Sequence, residues 1–197
     1  MYLTNDVMLY PNALTPDECN KIIQIGESKK FEESKIQDGD NKNRSSKVSW
    51  INDKPLHKLL ISKTIQINLK SGWKFQIKKI EPMQYSVYNV DDHYKWHIDS
   101  HSKPYDDGLI RKISFSVILN NDYEGGILEC ANCNPKNEDI LHNFTNLNVG
   151  DIIFFPSFLW HRVTPVTKGI RKSLVGWVLG KPWVWEIWYL QRKMMYT

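Results

Sequence analysis

Cysteine is scarce in this chain, with three in 197 residues, Cys19, Cys130 and Cys133. An odd count without a secretory signal argues for reduced thiols rather than a disulfide scaffold. The opening stretch MYLTNDVMLYPN lacks the basic segment and the apolar run of a signal peptide. No hydrophobic run approaches the roughly 20 residues that cross a bilayer. The expected setting is therefore cytoplasmic, with no membrane partner. Charge of one sign is lacking as well. The formal net charge is +4, spread among dispersed lysines rather than gathered in a block, so charge gives little reason to expect a nucleic-acid partner. Internal repeats and long linkers are also absent. With 41% hydrophobic and 24% charged residues, the chain can build a packed core, and its length suits a single domain over 1–197.

Aromatic residues are plentiful, and eight of them are Trp. Three lie close together in KPWVWEIWYL near the C-terminus. They fit packing on the core, and a subunit interface or a substrate wall is the sharper alternative. The CANC segment is a CxxC pair, but a structural zinc site wants a second pair, and His142 is the one further ligand nearby in sequence. A turn with two incidental thiols is the plainer reading.

Two helices and then many strands can be read along the chain. In LTPDECNKIIQIGES, Thr15 is an N-cap, Pro16 suits the first helical position and Glu18 completes a capping box. A second helix starts near Asp53, with Pro55 in its first turn and Leu56, Leu59, Leu60 and Ile67 on one stripe. These helices occupy about 10–70. Between them, the polar stretch 32–47 reads as a mobile loop. From about 72 to 190 short β-rich segments alternate with turn clusters. They include MQYSVYNV, RKISFSVIL, GGILEC, DIIFFPS, HRVTPV and RKSLVGWVLG. The class is α+β, with an antiparallel sandwich or jelly roll as the main core.

The segment YKWHIDSH holds His97 and Asp99 two residues apart, on one side of an extended chain. Alone, such a triplet fits an exposed polar loop. FFPSFLWHRV adds His161 at the start of a later strand, behind aromatic residues. Two imidazoles and a carboxylate on one face are the ligand set of non-haem Fe(II) oxygenases. Ligand type alone leaves zinc, manganese and cobalt open, and with zinc a hydrolase. Trp96, Ile98 and Trp160 have the opposite parity and are expected to pack into the core. His93 and His101 are expected at the rim. In TKGIRKSLVGW, Arg171 follows His161 by ten residues and shares a strand face with Ser173. A guanidinium and a hydroxyl side by side suit a carboxylate. It could belong to a protein Asp or Glu, or to the distal end of a 2-oxo diacid.

Taken together, WHIDS, the distal His161 and Arg171 resemble the iron(II)- and 2-oxoglutarate-dependent dioxygenases. The likeness is closest to the prolyl 4-hydroxylase-like branch and its small bacterial and phage-type members. RKISFSVILNNDYEGGILE and PNALTPDECNKII resemble the same branch. The resemblance implies a double-stranded β-helix core with the N-terminal helices packed on one sheet. It implies Fe(II) ligands His97, Asp99 and His161, with Arg171 and Ser173 on the far carboxylate of 2-oxoglutarate. Tyr88 matches a tyrosine that seats this co-substrate, and Tyr85 is the rival. The implied activity is hydroxylation of a C–H bond, in a peptidyl residue such as proline or a small molecule, using O2 and releasing succinate and CO2. Ascorbate is a candidate reductant, and a phage-type member would act in the host cytoplasm. Arg44, in the loop 32–47, is the candidate substrate anchor, and the segment 100–111 is a second candidate lid. A catalytically inactive jelly-roll binding module is the competing reading of the same fold.

Overall fold

A computed structural model describes residues 6–33, 43–101, 103–131 and 142–182. Along the chain come β1 (Met8–Tyr10), α1 (Pro16–Glu27), β2 (Glu32–Glu33), β3 (Arg44–Ser45), β4 (Lys47–Ile51) and α2 (Lys54–Lys70). Then follow β5 (Ile77–Ile80), β6 (Met83–Tyr88), β7 (His93–His97), β8 (Ile110–Ile118), β9 (Tyr123–Gly125) and β10 (Leu128–Ala131). The last are β11 (His142–Phe144), β12 (Ile152–Pro156), β13 (Trp160–Val163), β14 (Val166–Gly169) and β15 (Arg171–Gly180).

The strands form two main antiparallel sheets. The larger runs β1-β12-β8-β15-β6-β4-β2, with β5 also on β15, and the smaller runs β11-β10-β13-β7-β3. A short ribbon of β14 and β9 stands beside them. Two apolar clusters explain the arrangement. One lies between the helices and the outer face of the large sheet, and includes Ile22, Leu60, Ile67, Tyr85, Phe115 and Phe154. The other fills the space between the sheets, and includes Tyr88, Leu128, Cys130, Ile153, Phe155 and Val163. Strand β12 contributes Ile152 and Phe154 to the first cluster and Ile153 and Phe155 to the second. That is why its sequence is apolar without alternation.

Local signals set the helices. Thr15 and Glu18 close the capping box on α1, and Asp53 caps α2 by accepting from the Leu56 amide at 2.8 Å. Helix α1 approaches the large sheet at Gly26. A β-carbon there would come within 2.4 Å of the Tyr85 ring, and the Gly26 carbonyl accepts from the Ser49 hydroxyl at 2.8 Å. Among the described residues no helix is long and apolar enough to cross a membrane.

Two expectations need correction. The stretch 32–47 is not loop throughout, because both of its ends are strands, β2 on one side and β3 with Lys47 of β4 on the other. Residues 34–42 lie outside the described residues, as do Cys133 and the Trp-rich segment from 183 onward. Trp96, Trp160 and Ile98 do not pack into the core. Trp96 and Trp160 are half-buried and Ile98 is 43% exposed. Strand parity does separate them from the histidines, but the enclosed side of the small sheet is the histidine side. Trp96 lies outside it, beneath the Arg162 guanidinium at 4.8 Å.

Candidate active site

His97 ends β7, His161 lies in β13, and the two are direct partners across the ladder. Directly opposed residues point to the same face, so both imidazoles enter the space between the sheets. Asp99 follows two residues after His97, and its backbone turns in behind them. The Asp99 and Ser100 amides both donate to the Ser157 carbonyl at 2.9 Å. One donor atom from each of His97, Asp99 and His161 lies within 4.8 Å of the others. Asp99 and His161 are buried and His97 nearly so.

The tautomers follow from the hydrogen bonds. His97 Nδ1 lies 2.8 Å from the Lys95 carbonyl, and His161 Nδ1 lies 3.0 Å from the Leu159 carbonyl. A carbonyl can only accept, so each Nδ1 carries a proton and donates it. Each Nε2 then faces Asp99, at 3.8 Å from Oδ1 for His97 and 3.3 Å from Oδ2 for His161. Three lone-pair donors facing one another repel unless a cation sits among them, either a second proton on an imidazole or a metal ion. Burial, and then the neighbouring His161, push the His97 imidazole down to about 3, so it stands neutral as a lone-pair donor. Burial would raise the Asp99 carboxyl, but the charge and contact of His161 outweigh it and hold the group below the usual carboxylate range.

Aromatic rings fix the imidazole planes. Tyr94 stacks on His97 with ring centres 3.5 Å apart, and Phe155 lies 4.6 Å from His161. Tyr94 is three residues before His97 yet shares its face, because β7 carries one more residue than β13 between the paired positions. This is a β-bulge, and it re-aims a side chain beside the site. Arg44 of β3 stands over the Tyr94 ring at 4.5 Å. Its other partners are the hydroxyl of Ser46 and the side-chain oxygen of Gln84.

Arg171 starts β15 opposite Tyr88 and is 2% exposed. Its Nη1 donates to the Ser173 hydroxyl at 2.9 Å, and its guanidinium lies 5.3 Å from the Tyr88 ring centre. Its Nε is buried with no hydrogen-bond partner. Among the described residues no carboxylate lies within ion-pair distance of this cation. Gly126, at φ +58°, makes room for it, since a β-carbon there would come within 2.7 Å of Arg171 Cδ. A cavity of about 340 Å³ reaches Arg171, lined also by Ile118, Tyr123, Leu128 and Phe144.

Of the sequence candidates, His97, Asp99 and His161 meet at one point, and Arg171, Ser173 and Tyr88 meet at another on the inner face of the large sheet. Tyr85 is separated from them. It lies on the opposite face of β6, packed in the helix-side cluster with its hydroxyl 3.4 Å from Glu27, because an odd spacing from Tyr88 turns it outward. His101 is exposed beside Tyr105. Cys130 is fully buried opposite both His161 and His142, and burial pushes its thiol up to about 12. It stands as a neutral core residue. Sequence reasoning passed over Tyr94, Ser114, Gly126 and Trp177. The alternation of Ser114 and Ser116 with apolar residues in β8 was a usable sign that the inner face of the large sheet is polar.

The sequence matches the profile of the 2OG-Fe(II) oxygenase superfamily over residues 83–179. It is 30% identical over 175 residues to a PKHD-type hydroxylase of Colwellia psychrerythraea, covering 85% of this chain and 75% of that relative. In structure it resembles a prolyl-4-hydroxylase of Pseudomonas putida, with a TM-score of 0.68, 18% identity, and coverage of 91% of this chain and 95% of that one. It also resembles a prolyl hydroxylase from Trichoplax adhaerens in complex with a hypoxia inducible factor oxygen degradation domain peptide fragment. There the TM-score is 0.69, the identity 20%, and the coverage 90% and 84%. At such identities the structural likenesses speak to the fold alone, a double-stranded β-helix.

Proposed function

From the premise that this chain belongs to the 2OG-Fe(II) oxygenase superfamily, on its prolyl-4-hydroxylase-like branch, we propose that it hydroxylates a C–H bond of a peptidyl residue such as proline, releasing succinate and CO2. As a member it is a 2-oxoglutarate-dependent dioxygenase; the substrate and the residue roles are this proposal's own. In this reading the helices and the jelly roll act as one catalytic domain.

The observation that carries the reading is the convergence of His97, Asp99 and His161, one donor atom from each within 4.8 Å of the others. The donor set of two imidazoles and one carboxylate fits Fe(II). The orphaned Nε of Arg171 and the room left by Gly126 fit the far carboxylate of 2-oxoglutarate. His97, Asp99 and His161 would hold the metal. Arg171, with Ser173, would hold the co-substrate, and Tyr88 would wall it. When bound, iron with 2-oxoglutarate and dioxygen supplies the oxidation of the C–H bond. The chain's own work is to fix the donors, seat the co-substrate and exclude water. Phe155 and Leu128 supply apolar walls between the two subsites.

The peptidyl reading is supported by an aromatic pair on β4 and β15 of the large sheet. Trp50 is 44% exposed and its ring lies 6.3 Å from that of Trp177. Arg111 stands 4.1 Å over Trp177, and the Trp177 Nε1 is buried without a partner. Aromatic faces suit a proline ring, and an unpaired indole N–H suits a peptide carbonyl. Arg44, half-buried with neutral partners only among the described residues, would anchor the substrate at the other side of Tyr94. The peptide in the complex of the Trichoplax adhaerens enzyme supports the same reading.

Turnover tests this directly. Under anaerobic conditions Fe(II) plus 2-oxoglutarate should produce a weak visible absorption band, and admitting air should yield succinate, with and without ascorbate. A peptide library read by mass should then show a gain of one oxygen on the substrate. Absence of both band and succinate would sink the oxygenase assignment. Succinate without any modified peptide, but with a modified small molecule, would sink the peptidyl one.

Gly126→Ala gives a narrower check on the Arg171 assignment. The left-handed backbone there costs a non-glycine residue about 1–2 kcal/mol, and the new methyl must displace Arg171. The variant should fold with a lowered melting temperature and bind 2-oxoglutarate at least about tenfold more weakly, while metal affinity stays put. Unchanged 2-oxoglutarate affinity in fluorescence titration would show that Arg171 is not its anchor.

A further inference from the structure

Ser114 stands in β8, fully buried, and its hydroxyl lies 2.6 Å from Asp99 Oδ2. The same hydroxyl lies 2.9 Å from that of Ser157, which is also fully buried. The direction of this relay is fixed by chemistry. An ionised carboxylate only accepts, so Ser114 donates to Asp99. Its single proton is then used, and the second contact must be donated by Ser157. The result is an ordered chain, Ser157 to Ser114 to Asp99, in which each donor is polarised by the next.

The relay treats the two oxygens of Asp99 differently. Oδ2 takes the Ser114 hydrogen bond and also faces His161 at 3.3 Å. Oδ1 receives no hydrogen bond from any described residue and faces His97 at 3.8 Å. Rotation about the terminal torsion of an aspartate is soft, and nothing intrinsic to Asp99 would keep both oxygens from closing on one cation. The Ser157 carbonyl pins the backbone on either side of that torsion, through the Asp99 and Ser100 amides. Among the described residues outside the triad, Ser114 is the side chain that holds the torsion itself.

We propose that Ser114, backed by Ser157, is a positioning residue that confines Asp99 to a single metal-binding oxygen. The proposal rests on the metal assignment made above. Its consequence is that the relay keeps a coordination position from being filled by the second oxygen, and so keeps it available to the co-substrate. Partners of this kind, one bond removed from the metal, govern affinity by about 10- to 100-fold.

Cobalt(II) alone is the probe, titrated into the chelator-stripped full chain and followed by its visible absorption. Ser114→Ala should weaken Co(II) binding about 10- to 100-fold and change the band shape as Asp99 becomes free to close with both oxygens. Ser114→Thr, which keeps the hydroxyl, should restore both. Ser157→Ala, which removes only the outer link, should give a smaller loss with the band shape of the unsubstituted chain. Thermal unfolding of each metal-free variant separates a positioning effect from a structural one, and should differ little. Ser114→Ala binding Co(II) within twofold of the unsubstituted chain, with the same spectrum, would overturn the proposal. So would Ser114→Thr behaving like Ser114→Ala while melting normally. If the unsubstituted chain bound no Co(II), the metal assignment itself would fall and take this inference with it.

Discussion

Arg171→Met should weaken 2-oxoglutarate binding by about 100- to 1000-fold and, at the same time, make the ligand-free protein more stable. The first effect is the cost of removing one partner from a buried charge pair, about 3–4 kcal/mol. The second follows from the state of the residue without its ligand. Arg171 is a cation at 2% exposure whose polar partners among the described residues are one hydroxyl and one aromatic ring, with Nε left bare. Burying a charge without a counter-charge opposes folding, and an apolar side chain of similar length removes that penalty. A gain of about 1–2 kcal/mol, or roughly 2–8 °C in melting temperature for a chain of this size, is expected. Metal affinity measured without 2-oxoglutarate should not change. The two measurements are isothermal titration with 2-oxoglutarate and a thermal melt of the ligand-free chain. A lower melting point with intact affinity would mean that Arg171 serves the fold and not the co-substrate.

Asp99→Ala should abolish useful metal binding. Losing a partner of a ligand costs about 10- to 100-fold, so losing the ligand itself must cost at least about a hundredfold. The two histidines alone would remain, their Nδ1 protons still held by Lys95 and Leu159 carbonyls. Asp99→Glu should fail to rescue. Its carboxylate would sit one methylene further out, whereas the Ser114 hydroxyl and the Ser157 carbonyl are placed for the shorter side chain. Equilibrium dialysis against Fe(II) or Co(II) reads both variants, and near-native retention by Asp99→Ala would remove Asp99 from the ligand set.

The parts of this site that could be read from sequence were polar residues at fixed parity in apolar strands. His97 with Asp99, His161, and Arg171 with Ser173 are of that kind, and the structure gathers each group on one face. What could not be read has physical reasons. Parity separates the two faces of a strand but does not say which is enclosed, and Trp96 and Trp160 were therefore placed on the wrong side. The bulge in β7 breaks the period of two, so Tyr94 sits over His97 at an odd spacing. Tyr85 and Tyr88 differ only in which face of β6 they occupy, and both faces are buried. Ser114 and Ser157 are too common a residue type to stand out until the backbone brings them to a carboxylate. The two helices were legible because their signals are local, namely the capping box at Thr15 and Glu18 and the cap and proline at Asp53 and Pro55.

Each imidazole of the triad is oriented by a carbonyl two residues earlier in the chain, Lys95 within β7 and Leu159 just before β13. That arrangement is complete before any ion arrives, so the clamp is shaped by the backbone and not by its cargo. A rigid set of two nitrogens and one oxygen ranks divalent ions by their own chemistry, with cobalt, nickel and copper above iron. The expected vulnerability is therefore poisoning. Stronger-binding ions should displace iron from a site that has no means of refusing them, and which ion it carries in a cell should follow supply.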